Sequence, residues 1–222
     1  MQLRHLATLA YFSALDPPVP RLRTRCSVPH ALLDDAPVTV DIAAPGMNSR
    51  TITASIVVDT GVDEVWSILT DYDNLATHVP NLVVSETRPA PPGQTRLYQE
   101  GAQKIIGFEF SAALEMDMRE VIDEAQPSTR QIKFSLVESV MFASFDGEWR
   151  VQPYSRRRMR DDPSRYAYKT KLIYKVTITP RGLVPIPAIE WRIREDVPSN
   201  LRGVKQAAER LAASEVSRRE AR

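Results

Sequence analysis

Alternating apolar and polar positions predict a sheet across most of the second half of the chain. From Phe108 to Met118 every second residue is apolar, and this period places one face of a strand in a core and the other face in solvent. Because only short turns separate the alternating stretches, we expect an antiparallel meander. The further strands are predicted at 82–86, 95–105, 131–136, 142–151 and 166–179.

Helical periodicity appears on both sides of this meander. A predicted strand at 52–58 leads into a helix whose apolar stripe covers Val62–Leu69, with Thr60 as its expected N-cap. At the other end, apolar residues recur at spacings of three and four over Ala188–Leu211. This second pattern predicts a helix long enough to cross the sheet. Pro198 predicts a kink or a short break in that helix.

A short motif follows the first helix. Thr70-Asp71-Tyr72 ends this helix and begins a second, short one that stops before Pro80. On its motifs the chain resembles the START-related superfamily, which contains the polyketide cyclase/dehydrase and lipid-transport proteins and the coenzyme-Q-binding group. The residues that carry the resemblance are Val65-Trp66, Leu69-Thr70-Asp71-Tyr72, Leu75, Pro80-Asn81-Leu82 and, near the end, Asp196-Val197-Pro198-Ser199-Asn200-Leu201-Arg202.

The resemblance implies an α+β helix-grip fold. In this fold a curved antiparallel sheet of about six to seven strands wraps around the long C-terminal helix, and two short helices follow the first strand. The START-like domain is expected at 50–213, after a linker at 31–49 and before a charged tail at 214–222. Alternation over 38–42 predicts one short edge strand within the linker.

The same resemblance implies a hydrophobic ligand between the sheet and the C-terminal helix. Its wall is predicted from the inward positions of the meander and of the helix, and plain core packing is the alternative for each residue. The predicted ligand-binding residues are Phe108, Phe110, Leu114, Phe134, Leu136, Trp149, Leu172, Tyr174, Ile193, Val197 and Leu201.

We therefore expect a non-enzymatic protein that binds, transports or chaperones a lipid or an isoprenoid quinone. A cyclase/dehydratase-type enzyme acting on a polyketide-like or other apolar substrate is the alternative, and a ribosome-interacting protein is a further one. The sequence contains no nucleophile–base signature, phosphate loop, metal spacing or dinucleotide fingerprint, so we expect no catalytic residue and no cofactor. The polar residues weighed for catalysis are Asp71, His78, Tyr98, Glu100, Arg150 and Tyr174.

Composition restricts the kinds of partner, cofactor and compartment that we expect. The 29 basic and 28 acidic residues give a net charge of +1, which does not favour nucleic acid. The single cysteine, Cys26, excludes an intramolecular disulfide, and the three histidines leave little for a metal site. No apolar run reaches the ~20 residues that span a bilayer. Residues 1–30 are poor in acidic residues and contain arginines and hydroxyl residues, which predicts a transit peptide for the plastid, with the mitochondrion as the alternative and a disordered extension as the other interpretation.

The segment Tyr154–Arg165 is rich in arginine, and we expect it to form a protruding hairpin loop. Its cations would suit anionic lipid headgroups or nucleic-acid phosphates, while a solvated loop neutralised by Asp161 and Asp162 is the alternative. In the membrane interpretation an apolar loop inserts beside it. The predicted membrane contacts are Arg156, Arg157, Arg158, Arg160, Leu183, Val184 and Ile186.

Overall fold

The computed structural model describes residues 37–105, 108–122, 124–160, 163–182 and 185–220, without the side chains of 102–105, 108–112 and 219–220. The predicted transit peptide at 1–30 lies outside the described residues. So do the side chains of Phe108 and Phe110 and the whole of Leu183 and Val184.

Among the described residues, eight antiparallel strands form one sheet, in the order β1-β2-β8-β7-β6-β5-β4-β3. Their inner face carries the apolar positions of each alternation, such as Ile52, Ala54, Ile56 and Val58 on β2, all of which are buried. The curved sheet and its long helix confirm the predicted α+β helix-grip fold, with slightly more strands than expected. The strands are β1 Thr39–Gly46, β2 Ser49–Val58, β3 Leu82–Arg88, β4 Thr95–Ile105, β5 Phe108–Ile122, β6 Arg130–Ser139, β7 Phe142–Arg158 and β8 Tyr166–Pro180.

The additional strand is the edge strand that alternation predicted inside the expected linker. β1 pairs with β2 from Thr39 opposite Ser55 to Gly46 opposite Ser49. The sheet therefore begins within the segment that we expected to connect the domain to the residues before it.

The first part of the arginine-rich segment is strand rather than loop. Arg156, Arg157 and Arg158 belong to β7 and pair with Tyr168, Ala167 and Tyr166 of β8. β6 pairs with β7 only up to Val151, so residues 152–158 and 166–169 form a two-stranded ribbon that extends past the rest of the sheet. The predicted hairpin therefore does protrude, but residues 154–158 are strand and not loop, because pairing between the two strands satisfies the backbone despite the polar composition.

The first helix, α1, spans Val62–Thr70 and buries Val65, Ile68 and Leu69. Gly61, not Thr60, occupies its N-cap position, and no side chain caps the helix. Thr60 is buried, and its backbone carbonyl accepts a hydrogen bond of 2.8 Å from the Thr170 hydroxyl. The predicted Thr60 cap is therefore wrong. A 3-10 helix, Tyr72–Thr77, follows α1.

The second α-helix, α2, spans Ile186–Glu220 without a break at Pro198. Val197 and Leu201 on either side of the proline pack against the core, which supports the helix where one backbone hydrogen bond is missing. The helix also continues through residues 214–220, which we expected to form a charged tail after the domain. Within the described part of the chain, no helix is long and apolar enough to cross a membrane.

Candidate functional site: an apolar cavity beneath α2

A cavity of about 270 Å³ lies between the sheet and the middle of α2. Its walls come from four parts of the fold: the segment from the end of α1 to the start of β3, the inner faces of β4 to β6, the aromatic residues of β7 and β8, and one side of α2. They are lined by Leu69, Tyr72, Leu75, Val79, Asn81, Leu82, Leu97, Gln99, Gly101, Leu114, Met116, Met118, Ile132, Phe134, Phe142, Phe145, Trp149, Tyr174, Val197, Asn200, Leu201 and Val204.

One wall of the cavity is aromatic. The ring centroids of Trp149 and Tyr174 are 4.4 Å apart, those of Phe134 and Tyr174 6.1 Å and those of Phe134 and Phe145 5.8 Å. Gly147 on β7 leaves room for the Phe134 ring, because a Cβ atom at position 147 would stand only 2.7 Å from the ring edge. Rings in this arrangement offer flat apolar surfaces to a ligand.

Tyr174 brings a hydroxyl group into this wall. No hydrogen-bond partner for it exists among the described residues. Burial raises the pKa of Tyr174, so the hydroxyl stays protonated at neutral pH and can donate a hydrogen bond. Tyr72, the other tyrosine of the cavity, donates to the Glu120 carboxylate at 3.0 Å, and burial together with this carboxylate raises its pKa. Only Tyr174 of the two therefore has a free donor.

Three amide side chains complete the polar part of the lining. The Asn81 amide donates to the Asn200 side-chain oxygen at 3.1 Å. The Gln99 amide lies 3.4 Å from the Ser85 hydroxyl, which donates to the Tyr72 carbonyl at 2.6 Å. These hydrogen bonds connect the 3-10 helix, β3, β4 and α2 along this wall.

The two sequence motifs meet at this wall. Asn81 belongs to the first motif and Asn200 to the second, and Gly203 just beyond it lies against the His78 carbonyl and the Pro80 ring. A Cβ atom at Gly203 would stand 2.3 Å from the His78 carbonyl oxygen. The absence of a side chain thus allows α2 to approach the segment between the 3-10 helix and β3.

Six of the eleven predicted ligand-binding residues line the cavity: Leu114, Phe134, Trp149, Tyr174, Val197 and Leu201. Three others are not part of its lining. Leu172 is fully buried in the packed core, while Leu136 and Ile193 are partly buried against that core. For these three the core-packing alternative holds, because strand and helix periods report burial without showing where the two layers separate.

Sequence reasoning missed the contribution of the segment after α1, which it took as a mark of the fold alone. Leu69, Tyr72, Leu75 and Val79 all line the cavity, and their spacings of three and four are the signal that could have placed them on one apolar side. Met116 and Met118, also in the lining, continue the alternation that identified Leu114.

The other polar residues weighed for catalysis lie elsewhere. Asp71 is exposed and accepts a hydrogen bond from the Asn74 amide, and Arg150 pairs with Glu148 at 2.8 Å. Tyr98, on the opposite face of β4 from Leu97 and Gln99, donates to Glu100 at 3.3 Å. The His78 ring lies next to Thr77 in the connecting segment. The described residues contain no group of three or more His, Cys, Asp or Glu side chains placed to hold a metal ion.

A buried ion network holds the second half of α2 against the end of β2. Lys205, whose side chain is only 8% exposed, pairs with Asp59 at 3.0 Å and with Glu209 at 2.8 Å. Burial opposes its charge, but the two carboxylates prevail and raise the pKa of Lys205. Burial likewise opposes the Asp59 charge, but Lys169 and Lys205 together lower the pKa of Asp59.

The arginine-rich ribbon lies at one end of β8, whereas Arg181 and Gly182, which lead into the apolar loop, lie at the other end. Tyr166 begins the 15-residue strand β8 and Pro180 ends it, a separation of roughly 45 Å along the strand. The expectation that the apolar loop would insert beside the arginines is therefore wrong.

Comparison with known protein families finds a match that covers β2 to β8 and most of α2. A family model described as polyketide cyclase / dehydrase and lipid transport matches residues 49–214. A comparison with curated protein sequences finds no match.

Solved structures with a similar fold come from bacteria and from humans. The Zhui aromatase/cyclase from Streptomyces sp. R1128 is 19% identical, with a TM-score of 0.53 over 73% of this chain and 94% of that chain. The STAR-related lipid transfer protein fragment from Xanthomonas axonopodis is 11% identical, with a TM-score of 0.56 over 77% and 98%. Human StAR-related lipid transfer protein 5 is 10% identical, with a TM-score of 0.60 over 78% and 88%. At these identities the likeness concerns the fold alone.

Proposed function

The chain belongs to the polyketide cyclase/dehydrase and lipid transport family, and we propose that it binds or transports a hydrophobic small molecule, a lipid or an isoprenoid quinone, in the cavity beneath α2. The observation that carries this proposal is the free Tyr174 hydroxyl in an otherwise apolar, aromatic wall. Tyr174 is only partly buried. An apolar ligand with one acceptor group that fills the cavity would exclude water from this hydroxyl and accept its hydrogen bond.

The chemistry of the wall narrows the ligand class. The Trp149, Phe134 and Tyr174 rings suit a flat or unsaturated apolar body. A quinone carbonyl or a lipid ester carbonyl would accept the hydrogen bond from Tyr174. The volume of about 270 Å³ is near the lower end of ligand sites, roughly 300–1,000 Å³. A ring and a short apolar chain fit, and a long tail would extend out of the cavity.

The cyclase/dehydratase alternative would also use Tyr174, since it is the ionisable group with a free hydroxyl in the cavity lining. A proton acceptor works best when its pKa lies near the working pH. Burial moves the pKa of Tyr174 away from neutrality, which favours a hydrogen-bond donor that anchors a ligand over a group that exchanges protons.

Native mass spectrometry of the purified full chain, followed by organic extraction, tests the proposal. We expect a bound apolar molecule in the wild type and reduced retention in Tyr174→Phe. Tyr98→Phe is the matched control, because it also removes one tyrosine hydroxyl but on the outer face of β4. An empty, folded wild type that takes up no lipid or quinone would refute the proposal. Turnover of a polyketide-like substrate that disappears in Tyr174→Phe would favour the enzyme.

A further inference from the structure

Three exposed apolar side chains lie at the end of the sheet where β8 leads into α2. Met47 at the β1–β2 turn is 98% exposed, Val140 at the β6–β7 turn is 88% exposed and Trp191 on the first part of α2 is 49% exposed. A single exposed apolar residue needs no explanation. What distinguishes these three is their position around the connection from β8 to α2, at the end of the sheet where Phe142 and Phe145 line the cavity. We call this surface, formed by the turns 46–49 and 139–142 and by residues 180–182 and 185–191, the α2 end.

Hydrogen bonds connect both turns to the same point of the chain. The Asn48 side-chain amide donates to the Pro180 carbonyl at 3.1 Å, and the Arg181 backbone N–H donates to the Met141 carbonyl at 2.7 Å. β2 and β7 flank β8 on its two sides, so the two turns are about 10 Å apart. The apolar side chains are therefore separate tips on one end of the molecule.

An ion pair adds the helix to this group. Arg50, at the start of β2, contacts Glu190 of α2 at 2.6 Å. Glu190 precedes Trp191 in the sequence, so the tryptophan lies on the part of the helix that is held beside the β1–β2 turn.

The aromatic part of the cavity extends toward the same end of the sheet. Phe142 and Phe145, at the start of β7, line the cavity. On the helix side, the lining begins at Val197, within two turns of Trp191. An apolar molecule that enters the cavity past the first part of α2 therefore passes the exposed tips.

Charges at the α2 end nearly balance. Glu190 is paired with Arg50 and Arg194, and Arg192 is paired with Glu195 and Asp196. No carboxylate among the described residues pairs with the exposed Arg181, while Glu138 on β6 is exposed as well. Attraction to this surface would thus come from burial of apolar groups, with little dependence on salt or on anionic lipid.

We propose that the α2 end docks on the headgroup region of a lipid bilayer by inserting Met47, Val140 and Trp191. The proposal rests on the proposed function, since a protein that carries an apolar ligand collects it from a membrane. Separate convex tips suit a deformable bilayer better than the flat matching patch of a second copy. A partly exposed tryptophan suits the interface, where its ring is buried and its N–H stays hydrated.

Flotation of the full chain with phosphatidylcholine vesicles tests this docking. We expect the wild type to float at about 0.1 M and at about 1 M salt alike. The triple variant Met47→Ser, Val140→Ser, Trp191→Ser should lose about tenfold or more in vesicle affinity. The matched control, Ile122→Ser, Tyr168→Ser, Val216→Ser, changes three exposed residues at the other end of the molecule and should float as the wild type does.

A second measurement locates the contact. Brominated phospholipids should quench part of the tryptophan fluorescence of the wild type. In Trp191→Phe, which keeps an apolar ring, this quenching should disappear while flotation remains. Quenching that persists in Trp191→Phe would overturn the assignment of Trp191 to the contact.

Three other outcomes would overturn the docking proposal. The first is an absence of flotation in the wild type. The second is flotation with anionic vesicles alone that is lost at high salt. If a variant with Arg156, Arg157, Arg158 and Arg160 changed to Gln also loses this flotation, docking belongs to the arginine-rich ribbon. The third is a wild-type dimer that the triple variant converts to a monomer, without any vesicle binding.

The proposed function is tested separately by uptake of a fluorescent fatty-acid probe in buffer without vesicles. The triple variant should bind the probe as the wild type does, because none of its three positions lines the cavity. If the wild type floats but takes up no probe, the cavity proposal fails and the docking result stands. If it takes up probe but does not float, the docking proposal alone fails.

Discussion

Replacing Gly203 with alanine tests the contact between α2 and the cavity wall. The new Cβ atom would stand 2.3 Å from the His78 carbonyl oxygen and 2.8 Å from the Pro80 Cδ atom. Both neighbours belong to the backbone or to a rigid ring, so the two segments must separate by about 1 Å to reach ordinary van der Waals contact.

Two terms of opposite sign set the size of the effect. Alanine in place of glycine inside a helix stabilises it by about 1 kcal/mol. Overpacking of a close contact costs about 1–3 kcal/mol and sometimes more. Because Gly203 is buried and the clash is with backbone, we expect the second term to prevail, with a net loss of about 1–2 kcal/mol. In a chain of this size that loss lowers the Tm by roughly 2–8 °C.

Urea unfolding and thermal melting of Gly203→Ala measure this loss, with Gln206→Ala as the control. Gln206 is on the same helix, three residues further, and is exposed, so its replacement should leave the stability nearly unchanged. Ligand retention should also fall in Gly203→Ala, since the displaced segment carries Val79 and Asn81 of the cavity lining. A variant that is as stable as the wild type, or more stable, would refute the close approach of helix and segment.

Two further predictions concern polar contacts of α2. Lys205→Met should lower the free energy of unfolding at pH 7 by about 2 kcal/mol, because Glu209 loses its cation and Asp59 keeps only Lys169. The lowered pKa of Asp59 means that its contribution is present above about pH 4 and is lost as the pH falls through its folded value. Urea unfolding should therefore show a smaller difference between wild type and Lys205→Met at about pH 3 than at pH 7, and an equal difference would contradict this account. The pKa of Lys205 is raised, so the wild type should lose the stabilisation from the charged Lys205 only above about pH 10. A double-mutant cycle of Asn81→Ala and Asn200→Ala should give a coupling energy of about 0.5–1.5 kcal/mol, whereas additive effects would mean that the hydrogen bond does not contribute.

The parts of the fold that local periodicity controls could be predicted from the sequence. The alternation from Phe108 to Met118 lies within β5, and the three-and-four spacing over Ala188–Leu211 lies within α2. In both cases the period of the side chains on one face is also the period of the backbone structure. The strand character of Arg156–Arg158 could not be predicted in this way, because it depends on pairing with β8.

The cavity wall could be predicted only in part, because a void depends on the distance between two layers. Leu172 and Tyr174 occupy equivalent inward positions of β8, yet only Tyr174 lines the cavity. The difference arises from what lies opposite each residue, and the sequence period does not contain this information. The same holds for Asn81 and Asn200, which meet across 119 residues of chain.

The two motifs that identified the family therefore form a single contact in space. Asn81, Asn200 and Gly203 hold the middle of α2 against the segment that precedes β3, and the Lys205 network holds the turns that follow. From Leu201 to Ala208 most of the helix is buried, whereas residues 186–200 are partly buried or exposed. The first part of α2 thus buries fewer apolar side chains and relies on ion pairs such as Arg50–Glu190 at the surface. Local separation costs least where apolar burial is smallest, so the half of the helix beside the exposed tips is also the half that can yield to a ligand.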